Sequence, residues 1–314
     1  MKNGEAKVFE TEKAEFSAPK KLLEVGQEWA GLGILDDAIV GATDNAVVKV
    51  WERKEFEKLD ENEDFEGISK ITPKTEQNIK SAGKVRAGKV RRKTMVIGGE
   101  STQLQMVDLE NLDKGVVWSA KNVRPDKLQL HIPINFPAIA LPEKTETIAC
   151  TSYGSLTNQA HELRIYDPRQ VQRRPVKRIE WETYPITSLL SMDDDGQKYV
   201  VGTARGKIAL FDIRYEKKFL SFKGAAGSIR SMAQHPDKEN IFCAVGLDRF
   251  LHVYDAKIRK KLHKVYLKSP LNRVLIEKGA KIEKDTEEEK EEEQEIEAKV
   301  ETWNEMENLE SVED

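Results

Sequence analysis

Only two cysteines occur in the 314 residues, Cys150 and Cys243, far apart and without Cys or His neighbours at metal-ligand spacing. That pattern excludes a disulfide framework and a zinc site, and it fits a reducing compartment. No apolar run approaches the ~18 to 20 residues that a membrane-spanning helix requires. The N-terminal MKNGEAKVFETEK also lacks the apolar core of a secretory signal. The expectation is a soluble, intracellular protein. Histidine is scarce too: His131, His161, His235, His252 and His263 form no HExxH pattern and have no local Ser or Cys partner. The usual zinc-hydrolase and nucleophile signatures are therefore missing. His235, followed by Pro236, reads as a packing or turn residue.

The chain does have enough apolar material, 39% of its residues, to bury a large core as one large domain or two ordinary ones. Its net charge of -4 is unevenly distributed. Residues 277 to 314 hold 17 Asp or Glu against 5 Lys, which leaves the preceding residues at about +8. A basic body with an acidic tail points to an anionic partner for the body.

One short pattern recurs along the body: GEAKVFE (4 to 10), AVVKVWE (46 to 52), QLQMVDL (103 to 109), ELRIYDP (162 to 168), KIALFDI (207 to 213) and FLHVYDA (250 to 256). Aligned on Phe9, Trp51, Val107, Tyr166, Phe211 and Tyr254, the copies are 42, 56, 59, 45 and 43 residues apart. Apolar and polar residues alternate in them as on a strand with one buried face, and the recurring aromatics read as core. Further short apolar runs with tight turns lie upstream, including ITSLLSMDDDGQKYVV and IRSMAQHPDKENIFCA. Three or four strands per unit of about 43 residues, ending in an aromatic and an acid, match a WD-repeat propeller blade. The fold class is all-β, with about five blades plus a partial one at the start, where GEAKVFE reads as a blade's last strand.

The two long spacings contain insertions, 55 to 93 and 111 to 146. The first begins acidic and ends basic, without sustained periodicity, and reads as a surface loop. In the second, four prolines confine any strand to short pieces. Residues 1 to 276 thus form the propeller and 277 to 314 an acidic tail. The tail reads as disordered; Ile296, Val300, Trp303 and Met306 have the spacing of a short amphipathic helix as the other option.

Two stretches imitate sites. SAGKVRAGKVRRK (81 to 93) places Gly88 and Lys89 after Gly83 with four residues between, like a phosphate-binding P-loop. Position 90 is Val, not the Ser or Thr that holds magnesium, and the flanks are not a buried strand and a helix. The stretch instead reads as a cationic loop, in which Lys84, Arg86, Lys89, Arg91, Arg92 and Lys93 are candidates for contact with a phosphate backbone. Asp193, Asp194 and Asp195 before Gly196 lack the alternating ligands that calcium requires and read as a hairpin turn. No catalytic constellation, metal site or cofactor site emerges, so function is expected to lie in a binding surface.

The stretches AKNVRPDKLQLHIPI (120 to 134), LRIYDPRQVQRRPV (163 to 176), GAAGSIRSMAQHP (224 to 236), GLDRFLHVYD (246 to 255) and HKVYLKSPLNRVLI (263 to 276) are more specific than generic WD-repeat sequence. They resemble the nucleolar WD-repeat family of large-subunit ribosome assembly factors over residues 28 to 276. The resemblance implies a seven-bladed, non-enzymatic propeller of the nucleus and nucleolus, without cofactor, membrane or small-molecule substrate. Its implied partners are precursors of the large ribosomal subunit, other assembly proteins, precursor rRNA and an AAA-type ATPase that releases it. It marks Lys121, Asn122, Arg124, Arg173, Arg174, Arg230 and Lys268 as contact candidates. By that pattern about one and a half blades lie outside this sequence. The acidic tail departs from the basic ends common in the family, so residues 80 to 93 are left to supply the nucleolar address. The alternative is a WD-repeat substrate receptor or signalling adaptor that holds peptides.

Overall fold

Alternating Val, Ile and aromatic residues between tight turns form antiparallel meanders. A computed structural model describes residues 28–35, 38–53, 73–125, 129, 131–153, 161–181, 183–215 and 217–280, and the pairs 5–6, 9–10, 15–16 and 20–21. It divides into units Met1–Leu275 and Ile276–Asp314. The helix option at 296 to 306 lies outside the described residues.

At the start, β1 (Glu5–Ala6) pairs with β4 (Lys20–Lys21), and β2 (Phe9–Glu10) with β3 (Glu15–Phe16). The described part of GEAKVFE is therefore divided between two short local ladders, which corrects the expectation of a blade's last strand there. Glu5 stands opposite Lys21 in the register of this short ladder.

Five four-stranded antiparallel sheets follow, each a meander of consecutive strands. Blade 1 is β5 (Trp29–Ile34), β6 (Ala38–Thr43), β7 (Val47–Glu52) and β8 (Thr75–Asn78). Blade 2 is β9 (Val85–Arg91), β10 (Thr94–Gly99), β11 (Gln105–Asp108) and β12 (Val116–Ser119). Blade 3 is β13 (Ile139–Ala140), β14 (Ile148–Tyr153), β15 (His161–Tyr166) and β16 (Lys177–Trp181). Blade 4 is β17 (Ile186–Ser191), β18 (Lys198–Thr203), β19 (Ile208–Asp212) and β20 (Lys217–Phe222). Blade 5 is β21 (Ile229–Gln234), β22 (Ile241–Gly246), β23 (Phe250–Asp255) and β24 (Lys260–Tyr266). This is the WD-repeat propeller architecture, and the recurring sequence unit is the third strand of each blade.

The insertion expected as a loop over 55 to 93 is corrected in its second half. Residues 75–78 close blade 1, and 85–91 open blade 2 as its innermost strand; residues 54–72 lie outside the described residues. In β9, Val85, Ala87, Gly88 and Arg91 are buried while Arg86 and Lys89 are exposed. β9 packs on both neighbours, with Val85 in the core shared with blade 1 and Ala87 in the core shared with blade 3, and its exposed Arg86 and Lys89 line the cavity at the inner strands, so cations on it do not argue against a strand. In the second insertion β13 has only two residues, as the surrounding prolines require.

Blades hold together by burying facing sheets. Val40, Val48, Met95 and Ile97 share a core between blades 1 and 2, and Trp118, Phe136 and Tyr166 one between blades 2 and 3. Ile179, Tyr199 and Phe211 join blades 3 and 4; Phe222, Phe242 and Tyr254 join blades 4 and 5. The aromatics of the repeat, Trp51, Tyr166, Phe211 and Tyr254, are at most 2% exposed. Between blades 1 and 2 the inner strands approach so closely that a Cβ on Gly31 would lie 2.4 Å from the carbonyl oxygen of Gly88. The glycine that completed the P-loop-like spacing is therefore a backbone contact surface between blades.

The acid of the repeat has its own task. Asp212 accepts the Arg214 backbone N–H (3.0 Å) and is held by that residue's guanidinium at Nε (3.0 Å) and Nη2 (2.5 Å). Asp167 repeats the arrangement with Arg169 at 2.9 to 3.0 Å. Asp108 and Asp255 accept backbone N–H groups two residues on, from Glu110 and Lys257. Each of these carboxylates caps the turn that reverses the chain into the outer strand. In blade 5 the turn after β22 adds a side-chain hydrogen bond, between His252 Nε2 and Asp248 Oδ2 at 2.6 Å. The His235 Nδ1 accepts the Asp237 N–H, and Asp193 Oδ1 accepts the N–H groups of Gln197 and Lys198, which places both in turns.

Two outcomes follow. Gly31→Ala forces backbone against backbone and should lower stability by about 2 kcal/mol or more, measured by urea unfolding; an unchanged midpoint would contradict the close approach. The Arg214 guanidinium holds the Asp212 carboxyl below the ordinary range, as Arg169 does for Asp167. A depressed carboxyl pKa contributes stability above its unfolded value that is lost as pH falls through the folded one. Asp212→Asn should therefore reduce the melting temperature at neutral pH and flatten its decline between about pH 5 and about pH 3.

Candidate interaction surfaces

Twelve of the thirteen candidate residues fall into three places. The first is the hairpin and rim of blade 2, where most positive charge is matched locally. Arg86 Nη2 lies 2.5 Å from Glu100, which holds the Glu100 carboxyl below its ordinary range, and Lys93 Nζ lies 2.5 Å from Glu110. Arg92 donates to the Glu143 carbonyl at 2.8 Å and has Glu146 at 3.9 Å. Arg91 is only 2% exposed. Its guanidinium donates to the carbonyls of Pro142, Thr145 and Thr147 and pairs with Glu146 at 3.0 Å. Reading these residues as one free cationic loop is thus corrected: the chain turns at 92–93, and Arg91 ties the end of β9 to the start of blade 3. Lys84 remains exposed, with no ion-pair partner among the described residues.

The second place is the border between blades 2 and 3, where the fold unites two sequence motifs about fifty residues apart. The Lys121 N–H donates to the Arg173 carbonyl at 2.8 Å, and Arg174 Nη1 donates to the Asn122 carbonyl at 2.5 Å. Asn122 Nδ2 donates to Ile132 at 2.8 Å, and Asn122 Oδ1 accepts from the Val123 N–H. Asn122 and Arg174 are therefore framework, whereas Lys121, Arg124 and Arg173 project into solvent. Arg173 has φ 55°, a left-handed conformation fixed by this loop. Beneath it, Glu162 binds two cations: Arg164 Nε, with which it is fully buried, and Arg178, at 2.8 Å. Arg164 Nη1 reaches Asn122 Oδ1 at 3.4 Å. Sequence reasoning did not identify this cluster of buried Glu162 and Arg164 with the exposed Arg178, since the three lie on strands whose sequence gives no sign of it. Removing Glu162 would strand a buried guanidinium.

The third place is a cavity at the inner strands. Its walls come from β5, β9, β13, β17 and β21 and from the segment after β24. Arg86 and Lys89 of β9, Arg230 of β21 and Arg273 all line it, and no lining residue is acidic. The spacing in sequence gave no sign that Arg230 and Lys89 would meet. Arg273 lies within the motif at 263 to 276 but was not singled out, because an arginine in an irregular segment carries no periodic signal. Lys89 stays open to water, yet burial, and then the charge of Arg273, lower its pKa. Lys268 lies apart from all three places, exposed after β24 with φ 64°.

Comparison with known proteins fits this fold. No family model matches the chain. It is 30% identical over 277 residues to WD repeat-containing protein 74 of Bos taurus and 30% over 272 residues to that of Homo sapiens, covering 87% and 86% of this chain. In both cases it spans 66% of the relative's length. Ribosome biogenesis protein NSA1 of Saccharomyces cerevisiae is 24% identical over 211 residues, 59% of this chain and 45% of that protein. Among solved structures, the computationally designed Ika8 protein superposes with a TM-score of 0.58 at 13% identity, over 82% of this chain and 67% of that one, a likeness of fold alone. With the repeated blade endings and the shared motifs, these matches establish that the chain belongs to the family of WD repeat-containing protein 74.

Proposed function

We propose that the chain is a non-enzymatic scaffold in assembly of the large ribosomal subunit and processing of its rRNA. It works in the nucleolus, binds precursor particles, other assembly proteins and precursor rRNA, and is released by an AAA-type ATPase. The observation that carries this reading is the match to WD repeat-containing protein 74 over most of the chain, joined by relatives whose names state ribosome biogenesis. The side-chain chemistry agrees. Both cysteines are buried, and burial pushes the Cys243 thiol up to about 11 and raises Cys150 as well, so neither is a ready nucleophile. Among the described residues, Lys121, Arg124 and Arg173 are exposed without a carboxylate partner, as contacts to phosphate require.

The test is sedimentation of the tagged chain from cells. Salt-resistant migration with large-subunit precursors that is lost when rRNA synthesis is blocked is the expected result. Migration with cullin complexes, indifferent to rRNA synthesis, would instead favour the substrate-receptor reading. For RNA contact, combined Lys121→Gln, Arg124→Gln and Arg173→Gln should weaken binding to single-stranded RNA and reduce the salt slope by about 2. Stability should shift by no more than about 0.5 kcal/mol. Lys93→Gln, whose charge Glu110 already matches, should leave the slope nearly unchanged.

A further inference from the structure

The cavity at the inner strands has an uncompensated charge that the scaffold reading does not use. Four cations line it, and one of them, Arg86, is neutralised by Glu100 at 2.5 Å. Lys89, Arg230 and Arg273 have no carboxylate partner or side-chain hydrogen bond among the described residues, and the walls offer no Asp or Glu. Holding like charges together costs folding free energy; the Lys89 pKa is lowered first by burial and then by the charge of Arg273. The three residues come from β9, β21 and the segment after β24, so the convergence is made by the tertiary fold and not by one basic stretch. The wall also includes Ser188, 5% exposed, whose hydroxyl has no hydrogen-bond partner among the described residues.

We propose that this cavity is a binding site for a phosphate-class oxyanion, held jointly by Lys89, Arg230 and Arg273. The charge balance selects the class. A phosphate monoester or pyrophosphate brings about two or more negative charges and several acceptor oxygens to three cations, whereas one carboxylate would leave two of them unmatched. The arginine forks suit tetrahedral oxyanions, and the lysine adds a point charge. The phosphate has two possible sources, a small polyphosphate or the 5′ end of an RNA strand. The proposal does not depend on the ribosome-assembly reading, because purified chain suffices to test it.

The experiment is calorimetric titration of the full chain, at fixed ionic strength, with pyrophosphate, with a 5′-phosphorylated pentaribonucleotide and with the same oligonucleotide bearing a 5′-hydroxyl. Pyrophosphate is expected to bind, and Arg230→Gln with Arg273→Gln to weaken it ~10-fold or more. If RNA ends are the source, the phosphorylated oligonucleotide binds more tightly than both pyrophosphate and the hydroxyl form; if small polyphosphates are, pyrophosphate is preferred. Thermal melting separates loss of binding from loss of folding. Without ligand at low salt, Arg273→Gln should melt at the same or a higher temperature, because it relieves the crowding around Lys89. Equal pyrophosphate affinity in wild type and double variant, preference for an acidic peptide over both phosphate ligands, or a lower ligand-free melting temperature for Arg273→Gln would overturn the proposal.

Discussion

Burial of one four-stranded sheet against the next is the constraint on which everything else in this molecule depends. No blade covers its own faces, so each shared core, from Val40 and Met95 at one border to Phe222 and Tyr254 at another, belongs to two sequence repeats at once. A buried aromatic or aliphatic side chain contributes about 1.5 to 3 kcal/mol. The contributions of many such side chains keep the blades together without a disulfide. Where the sheets meet at their inner edges, backbone touches backbone, and only glycine fits at Gly31 opposite Gly88.

The same constraint determines where charge can go. Both faces of β9 are committed to neighbouring blades, through Val85 on one and Ala87 on the other, which leaves the space beside the inner strands for its exposed cations. Arg86 and Lys89 emerge there, while Arg91, at the end of the same strand, turns under blade 3 and is absorbed by three carbonyls and Glu146. Seven cations between residues 80 and 93 therefore do not act as one patch. Some lock the scaffold, some are matched by Glu100 and Glu110, and Lys89 joins arginines far away in sequence. A contact surface on such a body is assembled from single residues of several blades, as with Lys121 and Arg173 at the border of blades 2 and 3.

Recurrence made the fold readable. Trp51, Tyr166, Phe211 and Tyr254 recur at the same place in their blades, and the acids after Tyr166, Phe211 and Tyr254 cap N–H groups of the turn that follows the strand. Strand β9 is hard to read because its exposed residues are Arg86 and Lys89, types that normally mark loops, and its buried residues include Ala87 and Gly88, whose small size weakens any apolar signal. The candidate surfaces were legible only in part. The motifs around Lys121 and Arg173 drew attention to the right segments, but which of their side chains are framework and which are free depends on hydrogen bonds between segments about fifty residues apart.

By itself the sequence determined the all-β class, the period of the blades, the buried aromatics and the lack of a recognisable catalytic set, because these follow from local alternation and spacing. The tertiary structure alone decided that Lys89, Arg230 and Arg273 share one cavity, that Arg91 is buried, and that Glu162 holds Arg164 and Arg178 beneath Asn122. Charge and burial at such points are set by which blades come together, and no local pattern in the chain encodes that meeting.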